Sequence, residues 1–153
     1  MFKVLMVCTG NICRSPMAAG LLDHYLPDDL KMQVEVTSAG THALHGHQAE
    51  IHAIYAMDQI GIDISRHRAR QITRDIARGA DLILTMEAAH SKKVKSLLGW
   101  RNKKVQMISK FNPHSPIHDI ADPYGGQLEE YERCIETLKP CLYSLIQWLK
   151  NNI

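Results

Sequence analysis

No stretch of this sequence is apolar for long enough to cross a bilayer, which takes about 20 residues. Its longest apolar runs are strand-sized pieces such as Val4–Cys8 and Leu82–Leu84. Internal repeats, low-complexity tracts and linkers are also absent, which excludes a solenoid or a string of modules. Charge of one sign is scarce: a net +2 is too small to argue for nucleic acid as a partner. Cysteines number only four, Cys8, Cys13, Cys134 and Cys141, and no basic-then-apolar leader precedes the first strand. Structural disulfides are therefore not expected, and the chain reads as full-length, cytoplasmic and not inserted in a membrane. What is present is ordinary: 153 residues, 45% hydrophobic and 22% charged, enough for one core and hence one domain over residues 1–153.

Periodicity divides the chain into alternating strands and helices. Lys3–Cys8 reads as a buried strand, followed by a turn-forming Thr-Gly-Asn. Ser15-Pro16 then has the form of a helix cap and first helical residue, opening a helix that buries Ala18, Leu21, Leu22 and Tyr25. Gln33–Ser38 is a second strand, and Ile51, Ile54 and Tyr55 have helical spacing up to a stop at Gly61. A basic, irregular stretch from Ser65 to Gln71 precedes a short helix at about Thr73–Arg78. Asp81–Met86 is the third strand, Glu87–Leu98 a helix ended by Gly99, and Val105–Ile108 the fourth strand. Ser109–Gly126, rich in Pro, His and Asp, reads as a long functional loop. The last helix, about Leu128–Lys150, puts Tyr131, Ile135, Leu138, Leu142, Leu145 and Leu149 on one face, with a kink expected at Pro140. This order predicts a three-layer α/β domain: a four-stranded parallel sheet with helices on both faces.

The chemistry concentrates where the first strand meets the first helix, in Cys8-Thr9-Gly10-Asn11-Ile12-Cys13-Arg14-Ser15. Such a junction gathers unpaired backbone N–H groups and the positive end of a helix dipole around one small space suited to a phosphate dianion. Gly10 and Asn11 accept left-handed backbone angles most readily. Five residues separate Cys8 from Arg14, so sulfur can lie at the bottom of the cup while a guanidinium fork meets two phosphate oxygens from the side. The same positive field favours the thiolate, the nucleophilic form of cysteine, and the Ser15 hydroxyl can hydrogen-bond to it. A nucleotide-binding glycine loop is a rival for a strand–loop–helix phosphate site, but the paired glycines and the lysine are missing. The plainer alternative is a buried cysteine at a strand end. The coincidence of Arg14 spacing, turn residues and the Ser-Pro start favours a catalytic Cys8.

Val7-Cys8-Thr9-Gly10-Asn11-Ile12-Cys13-Arg14-Ser15-Pro16 resembles the signature of the low-molecular-weight protein tyrosine phosphatases, bacterial branch. The likeness continues through Ser38-Ala39-Gly40, Ala69-Arg70-Gln71, Asp81–Met86 and Asp122-Pro123-Tyr124, over nearly the whole chain. It implies a flavodoxin-like fold of the phosphotyrosine phosphatase I type. It implies catalysis by Cys8, Arg14 and Asp122 through a cysteinyl-phosphate, with no metal or cofactor and inorganic phosphate as product. Asp122 is also the candidate acid from its own position, in the long loop after the fourth strand, stiffened by Pro123. Asp119 is a nearby rival without the following proline and tyrosine.

Substrate contacts are expected from Thr9, Gly10, Asn11, Ile12, Cys13 and Ser15, with Tyr124 as one wall and Leu44, in a rim over Thr41–Gln48, as the other. Two departures from the family stand out: Gly125-Gly126 where many relatives carry a second aromatic residue, and Glu50-Ile51 where Asp-Pro is common. The first opens one side of the pocket mouth; the second alters support for the loop. Cys13 is expected to form a protective disulfide with Cys8 on oxidation. A phosphotyrosine protein, with a tyrosine autokinase of exopolysaccharide export as one instance, is the partner the bacterial likeness implies.

His42, His45, His47 and His52 lack a matching cysteine or carboxylate set, so they read as rim residues rather than metal ligands. The basic stretch Arg66-His67-Arg68-Ala69-Arg70 reads as a solvated or acid-paired surface. Thioredoxin-coupled arsenate reduction would need further cysteines just after the third strand, where Thr85–His90 has none. Cys134 and Cys141 stand about 10.5 Å apart along a helix, past the ~7 Å reach of a disulfide, and read as core residues. A phosphotyrosine-binding module without catalysis would not need Cys8, Arg14 and Asp122 together. A serine/threonine phosphatase would need a shallower cup, whose depth the residues do not give.

Overall fold

The computed structural model describes residues 1–153. Four parallel strands form one sheet: β1 (Phe2–Cys8), β2 (Val34–Gly40), β3 (Leu82–Thr85) and β4 (Val105–Met107), in the order β2-β1-β3-β4. Val4 to Cys8 of β1 are all buried, because this central strand is covered on both faces. Strand alternation divides its side chains between two cores. Val4, Met6 and Cys8 join the larger one, under helices α1 (Arg14–Tyr25), α3 (Ile51–Asp58) and α6 (Leu128–Asn152). Leu5 and Val7 join the smaller one, with Ala77 of α4 (Arg74–Gly79) and Val94 and Leu98 of α5 (Ala88–Leu98). The sequence thus writes its three layers in the parity of one strand.

α6 closes the larger core. Its buried side chains, among them Tyr131, Ile135, Leu138, Leu142, Leu145 and Leu149, recur every three or four residues. Each fully buried leucine contributes roughly 1.5–3 kcal/mol of transfer free energy. Cys134 and Cys141 are packed on the same face, as expected of core cysteines, and burial pushes their thiols up to about 12 and about 11. The helix runs unbroken through Pro140.

Several local expectations change. α1 begins at Arg14 with Cys13 at its cap position, so Ser15 and Pro16 lie within the first turn. Ser15 is not free to cap, because its hydroxyl is bonded to Cys8 and Asn11. A one-turn helix, α2 (Asp28–Lys31), fills what reads as a loop before β2. On α3 the buried residues are Ala53, Ala56 and Met57, while Ile51 and Tyr55 are exposed. Tyr25 is only half-buried, its ring meeting Tyr143 edge-on at 5.3 Å. The segment after β4 opens with a 3-10 turn, Ile108–Phe111, and is folded back by the buried Ser109, which bonds His118 through both N–H and C=O.

The chain leaves β1 toward β2 on one side and returns to β3 on the other. That switch in direction opens a crevice at the carboxyl ends of β1 and β3, where an α/β sheet binds ligands. The loop after β4 reaches the same edge, since the Ile120 amide donates to the Met86 carbonyl at 2.8 Å.

Candidate active site

Residues 9–13 connect β1 to α1, and every carbonyl from residue 8 to residue 13 is tied down outside the loop. Those of Cys8, Thr9 and Gly10 accept from the amides of Thr41, His42 and Leu44 at 2.9, 2.9 and 3.1 Å. The Asn11 carbonyl accepts from His67 Nε2 at 2.6 Å, that of Ile12 from the Glu50 amide at 2.8 Å, and that of Cys13 from the Met17 amide at 3.1 Å. With all six carbonyls turned out, the amides of residues 9–14 make no hydrogen bond to the protein and converge on the space above Cys8. This is an anion nest at a helix N-terminus.

Asn11 fixes the curvature. It is the one non-glycine residue at positive φ (57°), a conformation asparagine tolerates at low cost. Its fully buried side chain donates to Ser15 Oγ at 2.7 Å and Ser38 Oγ at 2.9 Å and accepts from the Arg70 amide at 2.9 Å. Gly10, expected to share the left-handed conformation, does not adopt it. The glycine the loop does require is Gly40 at the end of β2, where a Cβ would collide with the Thr9 carbonyl.

Cys8 lies at the base, buried, with Sγ 2.9 Å from Ser15 Oγ. Because Asn11 already donates to that hydroxyl, its proton is left to point at the sulfur. Arg14 is 1% exposed, among the largest fully buried side chains. Its Nη1 donates to Glu87 Oε2 at 2.5 Å and to the Ile120 carbonyl at 2.9 Å. Its Nη2 lies 3.3 Å from Asp122 Oδ2 and 3.5 Å from Thr9 Oγ1. Asp122 is about half exposed, and its Oδ1 accepts from the Tyr124 amide at 3.1 Å. Asp119, its rival, is used elsewhere: its Oδ1 accepts from the Ala88 amide at the start of α5.

Beside this cluster His90 is buried, with its tautomer set by its neighbours. Nδ1 accepts from the Glu87 amide at 3.1 Å, so Nε2 carries the hydrogen and donates to Thr9 Oγ1 at 2.8 Å. Burial, and next the Arg14 charge, hold its pKa below the usual histidine range. His67, donating to the loop, is likewise lowered, first by burial.

The cleft above Cys8 has a volume of about 250 Å³. Of the residues expected to meet substrate, Thr9, Gly10, Ile12, Cys13, Leu44 and Tyr124 line it, together with His42. The Asn11 and Ser15 side chains stand behind the loop and brace it, while the Asn11 amide belongs to the nest.

The chain matches the low molecular weight phosphotyrosine protein phosphatase family over residues 3–153. It belongs to that family. A probable low molecular weight protein-tyrosine-phosphatase, EpsP of Ralstonia nicotianae, is 41% identical over 136 residues, covering 89% of this chain and 88% of that protein. A protein-arginine-phosphatase of Geobacillus stearothermophilus is 34% identical over 150 residues, covering 97% of each chain. Among solved structures, the low molecular weight protein tyrosine phosphatase from T. tengcongensis superposes with a TM-score of 0.87 at 36% identity, over 96% of this chain and 99% of that one.

In this phosphatase several supporting residues have no signal in the Cys8–Ser15 motif. Glu87 and His90, just beyond β3, reach the loop only because β3 lies beside β1. The position of Glu87, first past a strand at the ligand-binding edge, was its one trace in the sequence. The basic stretch is also corrected: His67 and the Arg70 amide hold Asn11, and Arg70 Nε donates to the Ser38 carbonyl at 2.9 Å. Only Arg66 and Arg68 are exposed as expected of a solvated surface. Support from residue 50, where the sequence departs from the family, comes through the Glu50 amide. The four neighbouring histidines do not converge: His42 lines the cleft, His52 packs on Tyr131 with ring centroids 5.4 Å apart, and His45 and His47 are exposed.

Proposed function

We propose that this chain is a protein tyrosine phosphatase working through a cysteinyl-phosphate, and that residues 1–153 act as one catalytic domain. The single observation that carries the reading is the loop whose carbonyls all face outward over Cys8. Cys8 Sγ attacks phosphorus in line with the phenolic oxygen. The S–P bond forms as the P–O bond breaks, and Asp122 gives its proton to the leaving oxygen. Amides 9–14 and the Arg14 fork stabilise the charge on the equatorial oxygens, the largest contribution in sites of this kind. Water then attacks the phosphocysteine, Asp122 takes a proton back, and phosphate leaves. The Ser15 hydroxyl donates to the departing thiolate.

Substrate class follows from the walls. Ile12, Leu44 and Tyr124 present apolar and aromatic surface above the nest. Against these three walls a flat phenyl ring loses nothing, whereas a phosphorylated guanidinium would bury part of its N–H donors without acceptors, Asp122 being the one carboxylate that lines the cleft. A relative acts on protein arginine, so the discriminating test is direct. With chelator present, the wild type should hydrolyse a phosphotyrosine peptide far faster than the matching phosphoarginine peptide. Cys8→Ser should abolish turnover, and Asp122→Ala should slow it roughly 10²–10⁴-fold. Preference for phosphoarginine, or turnover surviving Cys8→Ser, would overturn the reading.

A tyrosine autokinase of exopolysaccharide export is the proposed protein substrate, met in the cytoplasm. No helix of the chain is long and apolar enough to cross a membrane. Cys13 is the proposed redox partner of Cys8: peroxide oxidises Cys8 to a sulfenic acid, and the Cys13 thiol condenses with it, releasing water.

A further inference from the structure

Charge is unevenly spread along this chain. Residues 88–118 hold seven of its 18 lysines and arginines and none of its 16 aspartates and glutamates, so the segment is +7 and the remainder −5. It folds as α5, β4 and the beginning of the following loop, at one edge of the sheet. Between α5 and β4 runs a cleft of about 510 Å³, against about 250 Å³ above Cys8. Lys92 and Lys95 line it from α5 and Lys110 from beyond β4, with apolar surface from Val105, Met107 and Ile117. All three lysines are exposed, and the five ion pairs of the structure lie elsewhere. Lys110 donates only to the neutral Gln106 side chain.

Unpaired like charges gathered around a concavity repel one another and raise the local concentration of anions. This cleft also begins beside the catalytic one: Ala88 lines it, and Glu87, one residue earlier, holds Arg14. We propose that it docks an acidic segment of the phosphoprotein substrate flanking the phosphotyrosine. The inference rests on the phosphatase reading above and extends it to substrate choice. From Ala88 to Lys95 α5 rises about 10.5 Å, a length an extended peptide covers in about three residues. β4 is an edge strand with no strand partner on its outer side, although its Val105 amide is already bonded to the Asn102 carbonyl. A flat anionic surface would suit cations on a convex face; here they stand on the walls of a cleft.

The test compares wild type with Lys92→Glu/Lys95→Glu/Lys110→Glu on three substrates: p-nitrophenyl phosphate, a phosphotyrosine peptide flanked by glutamates, and the same peptide with glutamines. Wild type should show a KM roughly tenfold lower for the glutamate peptide at low salt, an advantage that shrinks as salt is added. The triple variant should lose that advantage and keep its kinetics on p-nitrophenyl phosphate. Equal KM for both peptides in wild type, or an advantage that survives in the variant, overturns the proposal. If wild type does not hydrolyse p-nitrophenyl phosphate, the phosphatase reading fails on its own. Anisotropy of a labelled, unphosphorylated glutamate peptide then decides: binding lost in the variant upholds docking, and no binding to wild type overturns it. Lysine-dependent sedimentation with phosphatidylglycerol vesicles, without any peptide preference, overturns it in favour of a membrane surface.

Discussion

His90 does not line the cleft, yet it fixes Thr9, which does, and Glu87, which holds Arg14. Its Nε2–H holds Thr9 Oγ1, and its Nδ1 holds the backbone of Glu87, whose carboxylate holds Arg14. It is a positioning residue, acting on the arginine through both neighbours. His90→Ala should lower kcat about 10–100-fold, the cost of a misplaced catalytic group, with little change in KM. His90→Gln, which can still donate to Thr9, should recover most of the loss; equal damage in both variants would leave only a structural role. Protonating His90 or His67 on folding is disfavoured, since both are lowered by burial. Below the usual histidine value of about 6.5, the unfolded chain therefore binds more protons than the folded one. Stability from these groups is complete above that pH and is lost as pH falls through their folded values. Thermal melts from pH 8 to 5 should show the decline, shallower in His90→Gln.

Cys13 makes a second residue-scale case. Burial pushes its thiol up to about 12, against a Tyr131 hydroxyl 3.6 Å away. It is therefore a neutral thiol at working pH and a poor first target of peroxide; to answer an oxidised Cys8 it must give up its proton as the S–S bond forms. Wild type treated with peroxide should regain activity on reduction with dithiothreitol, and Cys13→Ser should regain much less. Full recovery of the variant would remove the protective role.

At the scale of elements, most of the architecture was legible because its signals are local. Five buried residues in a row identify β1, and the three-to-four spacing of Leu138, Leu142, Leu145 and Leu149 identifies α6. The start of α1 was misread because Ser15-Pro16 imitates a capped helix start. A tertiary demand, the hydroxyl needed between Cys8 and Asn11, took the serine away from that role. That Cys8, Arg14 and Asp122 share one cleft was legible; the support from Glu87, His90, His67 and Arg70 was not, since sheet order and loop return bring them to the nest. α6 supplies the test at this scale. Proline in a helix interior costs about 3 kcal/mol relative to alanine, partly offset by its smaller unfolded-state entropy. Pro140→Ala should therefore stabilise the protein by about 1–2 kcal/mol in urea titration. An unchanged or lower midpoint would mean that the packing around α6 depends on the proline.

For the whole molecule, function follows from a sheet that changes direction once. The order β2-β1-β3-β4 brings the Cys8 loop, the Glu87 turn and the Asp122 loop to one edge and the cationic cleft alongside them. On the proposed mechanism, phosphate binding is supplied by backbone, charge by a buried arginine, and the proton by an exposed carboxylate. In the proposed mechanism the phosphoryl group passes through Cys8. p-Nitrophenol leaves with little need of a proton, so removing Asp122 should slow mainly the second step. The measurement is the p-nitrophenol released in the first turnover by Asp122→Ala, followed by mass spectrometry of the quenched protein. A burst stoichiometric with enzyme, and phosphate on the peptide bearing Cys8, are expected, both absent in Asp122→Ala/Cys8→Ser. Steady turnover with no burst and no phosphocysteine would contradict it.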